Sequence, residues 1–375
     1  MAKARDVLGI MLTRQCNLAC EYCYINEKSD ETISVETAKE AITEAFHREG
    51  HEADELEIDF VGAEPLSAFE TMKEICEWVW AQAWNRPYVF FTSTNGTLLT
   101  DSMKEWFTRH KDQFTVGLSY DGIKQAHDVN RSSSYNDIDP GFFLGTWPDQ
   151  WLKMTISEQS VPFLAESVIK LHEAGARFTV SCAFGEAAWR QSSFKRFAEQ
   201  LAILVKYYLD HPEMTPVEKL FGINIKGVLA TDIHGRKYCG AGTGYYIVDM
   251  SGKKYPCHVI SPLVMSDFQL QDEGIGLLWN DRVPKINSCS NCILDGICPI
   301  CYGMSLKHHG SMFTRGSNTC MQFKIQVMAN CKLVCGKILR KEQKTADDIR
   351  ALKAVDVIRK AVYMNKCSQD NARST

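Results

Sequence analysis

No stretch of this 375-residue chain reaches the roughly 18 consecutive apolar residues needed to span a bilayer. Its first residues, MAKARDVLGIMLTRQ, offer an apolar run of only about six residues before Arg14, shorter than the roughly 7–15 of a secretory signal. There is no basic run, and a net charge of −4 gives nucleic acid or an anionic membrane surface nothing to hold. Internal repeats and low-complexity segments are also missing. The chain therefore reads as a globular, cytoplasmic protein with no nucleic-acid or membrane partner. Cysteine is the residue in excess, with fifteen copies. Without a signal, and in a chain this long, metal or catalytic roles fit them better than disulfides. Three fall within the first 23 residues, Cys76 and Cys182 stand alone, and ten follow position 238, so each end of the chain reads as metal-binding.

From residue 6 to about 210, short β-branched or aromatic runs alternate with helix-length amphipathic stretches. Six strands are predicted at 6–13, 56–62, 88–94, 114–120, 153–157 and 177–182, and helices at 35–50, 67–84, 98–110, 160–174 and 189–210. Such alternation calls for parallel strands with crossover helices, in either a doubly wound sheet or a partial barrel. The connection 121–152 breaks the rhythm. It is rich in turn formers and aromatics, and its part from 131 reads equally as a substrate wall or a surface loop. Beyond about 215 the texture changes to glycines, turns and seven cysteines over 239–320. Residues 321–375 return to helical patterning, with Thr345 as an N-cap ahead of Asp347 and Asp348.

LTRQCNLACEYCYI (12–25) places Cys16, Cys20 and Cys23 just past the first strand. Folds of this class bind ligands there, at the C-terminal strand ends. Three thiolates are one short of a closed four-coordinate site, and no fourth ligand follows at finger-like spacing. His47 and His51 are about 25 residues on, in or beside a predicted helix. An open coordination position at a ligand-binding edge is a catalytic arrangement.

Cys-x3-Cys-x2-Cys with an aromatic before the third cysteine resembles the signature of radical S-adenosylmethionine (SAM) enzymes. The resemblance implies that the three thiolates hold a [4Fe–4S] cluster whose fourth iron binds SAM, that a 5′-deoxyadenosyl radical abstracts a substrate hydrogen, and that the fold is a partial (β/α)6 TIM-type barrel. Three more segments, each at a predicted strand end, carry the likeness. GAEP (Gly62, Ala63, Glu64, Pro65) is similar to the family's Gly-Gly-Glu-Pro, which contacts the SAM amino group, with Ala63 replacing the second glycine. STNGTLL (93–99), with Asn95, ends the third strand as in the family. SYDGIKQAHDVNR (119–131) resembles the segment after strand four. There Ser119 would meet the SAM ribose, Asp121 would belong to the cofactor site and Arg131 would pair with the SAM carboxylate; Ile123 stands where proline is usual. Taken singly, Gly62 and Gly96 read as turn glycines, and His127 and Arg131 as a solvated face. In order and at strand ends, they read as one cofactor site.

The later cysteines run Cys239-x12-Gly252-x4-Cys257, then Cys289-x2-Cys292-x5-Cys298-x2-Cys301, then Cys320. Paired Cys-x2-Cys also occurs in zinc ribbons. The order resembles the SPASM extension of one radical SAM branch, which holds two auxiliary [4Fe–4S] clusters, making three clusters in all. By that resemblance one auxiliary cluster takes Cys239, Cys257 and Cys301, and the other takes Cys289, Cys292, Cys298 and Cys320. Two departures stand out: x2 replaces the usual x3 before Cys301, and no extra cysteine precedes Cys239. Cys331 and Cys335 share a helix face and read as core thiols or as a further ligand.

The resemblance implies three domains: a radical SAM core (1–215), a SPASM domain (216–325) and a C-terminal helical segment (326–375). SPASM-branch enzymes mostly modify peptides or proteins. The leading expectation is a peptide maturase installing an intramolecular thioether or carbon–carbon crosslink in a ribosomally made precursor. Its partners would be that precursor, an electron donor such as flavodoxin or ferredoxin, and a separate leader-binding protein. The alternative is an anaerobic sulfatase-maturating enzyme, whose second SPASM cysteine is followed by an aspartate base. Here YPCH puts His258 at that position as the candidate catalytic base. A non-catalytic iron–sulfur or zinc scaffold is the reading of a different class.

Overall fold

The computed structural model describes residues 5–25, 27–48, 53–184, 189–230, 237–284, 289 and 291–371, the last ten as backbone only. Six strands follow one another in parallel: β1 (Arg5–Thr13), β2 (Glu55–Gly62), β3 (Tyr88–Thr94), β4 (Phe114–Leu118), β5 (Leu152–Ile156) and β6 (Phe178–Cys182). Helices α1 (Val35–His47), α2 (Phe69–Trp80) and α3 (Asp101–His110) fill the first three crossovers. The seam between β4 and β5 is thin. It consists of the Ser119–Lys153 bridge, with the Tyr120 amide donating to the Lys153 carbonyl at 2.9 Å. Among the described residues β6 pairs only with β5, so this α/β arrangement of parallel strands and helices is open on that side.

Alternation sets which face is which. In β2, Leu56, Ile58 and Phe60 join the main core beneath the helices, and Glu57, Asp59 and Val61 turn to the inner face. Phe60, Phe90 and Phe114 stack across three adjacent strands with centroids 5.7 Å apart at each step. Helix α1 answers with Ala38, Ala41, Ile42, Ala45 and Phe46, one face at helical spacing, and Ser34 caps it by accepting the Thr37 amide at 3.0 Å.

The connection 121–152 is more ordered than its composition predicts. It folds into α4 (Lys124–Asn130) and α5 (Pro140–Thr146), and it buries Phe143 and Trp147 in the core. Helices α6 (Leu164–Glu173) and α7 (Gln191–Asp210) flank β5 and β6, followed by the short α8 (Glu218–Phe221).

The cysteine-rich part contributes two strands that the sequence pattern did not announce. β7 (Tyr245–Val248) pairs in parallel with β1, Val7 opposite Tyr245 through Ile10 opposite Val248, and β8 (Lys254–Tyr255) returns antiparallel. Gly252 makes that return possible at φ +85, a backbone region that L side chains avoid. Asp249 completes the turn by accepting the Ser251 and Lys253 amides. Helix α9 (Tyr302–His309) leads to α10 (Ser317–Leu339) and α11 (Ala346–Asn371). α10 packs against α7 at Gly336, where a Cβ would meet Leu209 at 2.7 Å. No described helix is long and apolar enough to cross a membrane.

Candidate active site

The loop after β1 holds Cys16, Cys20 and Cys23 side by side. Burial pushes the Cys16 and Cys20 thiols up, and each is pushed further by its neighbouring cysteines. Opposing this, the Leu18 amide and Lys28 pull Cys16 down, and Arg131 and Lys28 pull Cys20 down. The Lys28 ammonium also donates to the Leu18 carbonyl, which fixes that cation beside the loop. Remote backbone contacts pin the segment. Ala19 donates to Ser132 Oγ at 2.9 Å and Glu21 to the Asn130 carbonyl at 3.0 Å.

Beside this loop the GAEP segment forms a bracket. The Ala63 and Glu64 amides donate to the Thr13 and Gln15 carbonyls at 3.0 and 2.8 Å. A Cβ on Gly62 would lie 2.4 Å from the Thr13 oxygen, so only glycine permits the approach. The Glu64 carboxylate is buried and raised by burial, and it accepts from the Leu66 amide, Thr94 Oγ1 and the Asn95 amide. Asn95 takes Thr97 on its oxygen and donates from Nδ2 to Asn17 at 3.0 Å, inside the cysteine loop. The expected cofactor residues Glu64 and Asn95 thus act here on the chain itself, tying the ends of β1, β2 and β3 together.

After β4, Ser119 is half-buried with its amide on the Thr94 carbonyl. Asp121 is fully buried and accepts from Arg131 Nε at 2.8 Å and Nη2 at 3.2 Å, from Asn130 at 3.1 Å and from the Thr155 amide at 2.8 Å. Arg131, read from sequence as a candidate solvated face, is 6% exposed, with its guanidinium 5.3 Å from the Tyr22 ring centroid. Its Nη1 takes no part in the Asp121 pair. His127 is buried too, accepting the Asp121 amide at Nδ1 and facing Ser134 at Nε2.

The later cysteines fall into two groups. Cys239, Cys257 and Cys301 influence one another, and burial pushes Cys257 up to about 12. Cys301 caps α9, whose Gly303 and Met304 amides lower its thiol against the effect of burial. Gly303 lets α9 settle on the turn after Cys257, since a Cβ there would touch Val259 at 2.5 Å. Cys289, Cys292, Cys298 and Cys320 line one pocket of about 40 Å³ with Tyr238 and Arg315. Burial pushes Cys298 up to about 12 while Arg315 pulls it back. Cys331 lies instead in an apolar cluster with Ile225, Phe323, Val327 and Ile358. Among the described residues no three Cys, His, Asp or Glu side chains converge on a single-ion site. Cys289, Cys292, Cys298 and Cys320 ring a small space, an arrangement that fits the all-thiolate donor set of an iron–sulfur cluster.

A cavity of about 250 Å³ lies on the inner face of the strands, between these regions. Gly62 and Pro65 bound it on the GAEP side, and Tyr24, Tyr245 and His258 on the cysteine-rich side. His258 Nδ1 lies 3.2 Å from the Tyr245 hydroxyl, and burial lowers the imidazole to about 4. That Tyr245 hydroxyl fits because β1 has a glycine at position 9, where a Cβ would stand 3.1 Å from it. Asp59, Ser93 and Lys153 complete the lining. Motif reading passed over Asp59 and Lys153, and took Ser93 only as the first residue of STNGTLL. A larger space of about 1210 Å³, lined by Trp151, Phe184, Trp189, Cys239 and Cys301 among others, opens at the β6 side.

Comparison with known proteins agrees with this geometry. The family described as a 4Fe-4S single cluster domain matches residues 7–137. A cysteine-type anaerobic sulfatase-maturating enzyme of Clostridium perfringens is 32% identical over 122 residues, covering 31% of this chain and 32% of that enzyme's length. The antilisterial bacteriocin subtilosin biosynthesis protein AlbA of Bacillus subtilis is 21% identical over 328 residues, 78% of this chain and 66% of AlbA. Among solved structures, anSMEcpe with bound AdoMet superposes with a TM-score of 0.65 at 17% identity, over 93% of this chain and 98% of that one. Streptococcus suis SuiB bound to precursor peptide SuiA gives 0.52 at 15% identity, over 85% and 76%. This chain therefore shares the fold of the anSMEcpe and SuiB structures, with a 4Fe-4S single cluster domain over residues 7–137.

Proposed function

We propose that this protein is a radical SAM peptide maturase that installs an intramolecular crosslink in a ribosomally made precursor. The observation carrying this reading is the cavity of about 250 Å³ that joins Gly62 and Pro65 of the GAEP bracket to His258, next to Cys257. One side chain of a peptide fits there, within reach of both regions. AlbA, a bacteriocin biosynthesis protein, aligns with 78% of the chain, which supports a peptide substrate. The wide space at the β6 side would give a peptide its approach, and its walls include Cys239 and Cys301.

Cys16, Cys20 and Cys23 would hold the SAM-binding [4Fe–4S] cluster, Cys239, Cys257 and Cys301 one auxiliary cluster, and Cys289, Cys292, Cys298 and Cys320 the other. When bound, the first cluster and SAM supply a carbon-centred radical that abstracts a hydrogen atom. The chain's own work is placement. Gly62 and Ala63 bring the bracket against the cysteine loop, Asp121 holds Arg131 at its edge, and Tyr245 orients His258. Ser119 and Arg131 would face the cofactor. An electron donor of the flavodoxin or ferredoxin kind and a leader-binding protein would complete the system, in the cytoplasm. In domain terms, 1–215 is the radical SAM core, 216–325 the SPASM domain and 326–375 a helical segment.

The similarity to a cysteine-type anaerobic sulfatase-maturating enzyme, 32% identical over 122 residues, favours formylglycine formation as the second reading. His258 argues against it, because it stands where those enzymes carry their aspartate base. The deciding experiment incubates the reduced, iron-loaded enzyme with a candidate precursor peptide and, separately, with a sulfatase peptide. Loss of about 2 Da from the precursor, with a new crosslink in its fragment spectrum, is the expected result. Formylglycine in the sulfatase peptide, with an unchanged precursor, overturns the reading.

A further inference from the structure

Asp59 on β2 and Lys153 on β5 both line the cavity of about 250 Å³. Neither belongs to a motif discussed so far. The Lys153 ammonium donates to Ser93 Oγ and sits 4.6 Å from the Phe91 ring centroid, so its direction is fixed. It makes no ion pair with Asp59, and both residues line the cavity. The other charged or titratable groups near Asp59 are Glu57 on its own strand, Tyr24 in the cysteine loop and Tyr245 on β7. His258 is the further polar group of the lining. An acid and a cation, each half-buried and set apart around a space for one side chain, make a site for a group that gives up a proton and becomes an anion.

We propose that this pair receives a cysteine side chain of the substrate, with Asp59 accepting the thiol proton and Lys153 holding the thiolate. The proton leaves sulfur and makes the Asp59 carboxyl neutral; no electron moves and the cation stays charged. Burial raises Asp59 to about 7, with Lys153 opposing that rise, which brings it toward an ordinary thiol at roughly 8.5. A serine hydroxyl has no such match. The assignment rests on the proposed function and narrows it to cysteine-containing peptides. It also moves the base from His258 to the strands.

The test uses N-acetylcysteinamide as the probe and infrared difference spectroscopy of the anaerobic, iron-loaded protein at neutral pH. Binding is expected to remove the probe's S–H band and to raise a protonated-carboxyl band. Asp59→Asn should abolish the carboxyl gain and keep the S–H band. Lys153→Met should move the pH midpoint of the Asp59 carboxyl upward by about one unit or more, which a merely structural lysine would not do. Absence of binding, a retained S–H band in the wild type, or its loss without a carboxyl gain overturns the proposal. So does equal proton loss in Asp59→Asn. SAM cleavage by the same wild-type preparation is read separately. Cleavage without proton transfer removes only the cysteine site, and proton transfer without cleavage removes only the maturase reading.

Discussion

Arg131 shows what a single residue's surroundings decide. Motif likeness places it at a cofactor carboxylate, yet the structure gives two of its nitrogens to buried Asp121. Removing the guanidinium leaves that carboxylate buried and uncompensated, at a cost of about 3–5 kcal/mol. Arg131→Ala is therefore expected to lower unfolding stability by that amount, and adding Asp121→Asn should recover a good part of it. Denaturant unfolding of the two single variants and the double variant measures this coupling. His127 sets a pH dependence. Burial lowers its pKa to about 4, so the folded state keeps it neutral while the unfolded chain takes up a proton below about 6.5. Its contribution is present above that pH and fades as pH falls toward 4. His127→Asn, which keeps an acceptor near Nδ1, should flatten the loss of stability over this window. An unchanged profile would remove His127 as its source. At this scale the first three cysteines were legible, because Cys16, Cys20 and Cys23 fall within one short segment. Asp59 and Lys153 were not, since a charge in a strand declares its face only when the neighbouring strands are known.

The first six strands and five long helices follow the expected boundaries closely, because each has its own period and its own stop signals. β1 is expected over 6–13 and forms over Arg5–Thr13, and α7 ends where the pattern does. The β7–β8 hairpin escaped notice for a physical reason. Four residues, Tyr245–Val248, are too few to show alternation, and their pairing partner lies more than 230 residues away in β1. Its turn was legible in hindsight as Asp249 three residues before Gly252. The element-level test is the GAEP bracket. Gly62→Ala would press a methyl group into the Thr13 carbonyl, which holds the Ala63 amide. Overpacking of this kind costs about 1–3 kcal/mol. If the bracket serves SAM as proposed, affinity should fall about tenfold, with little change in iron content. SAM titration beside iron analysis separates the two.

Across the whole molecule, ten cysteines from distant segments gather into three groups. The sequence announced the two later groups only through likeness to a family, since their members interleave along the chain, Cys301 falling between Cys298 and Cys320, and spacing cannot sort them. Loaded anaerobically, the protein should bind about twelve irons in three [4Fe–4S] clusters. Replacing Cys16, Cys20 and Cys23 by alanine should remove about four and abolish SAM cleavage while sparing the rest. Full cleavage by that variant would contradict the site.

The pairing of β7 with β1 bears on how this protein can be dissected. Val7 to Ile10 and Tyr245 to Val248 share one ladder, so the backbone that leads into the first cysteine loop is hydrogen-bonded to a segment from the other end of the sequence. A fragment ending near residue 215 would bare that side of β1, a row of unpaired amides and carbonyls next to apolar Leu8 and Ile10. Such an edge recruits other copies of itself. The isolated N-terminal fragment should elute as aggregates, and adding residues up to Tyr255 should restore a monodisperse species before any metal is supplied. The later segment would then act as an intramolecular chaperone for the strand on which the first cysteine loop depends.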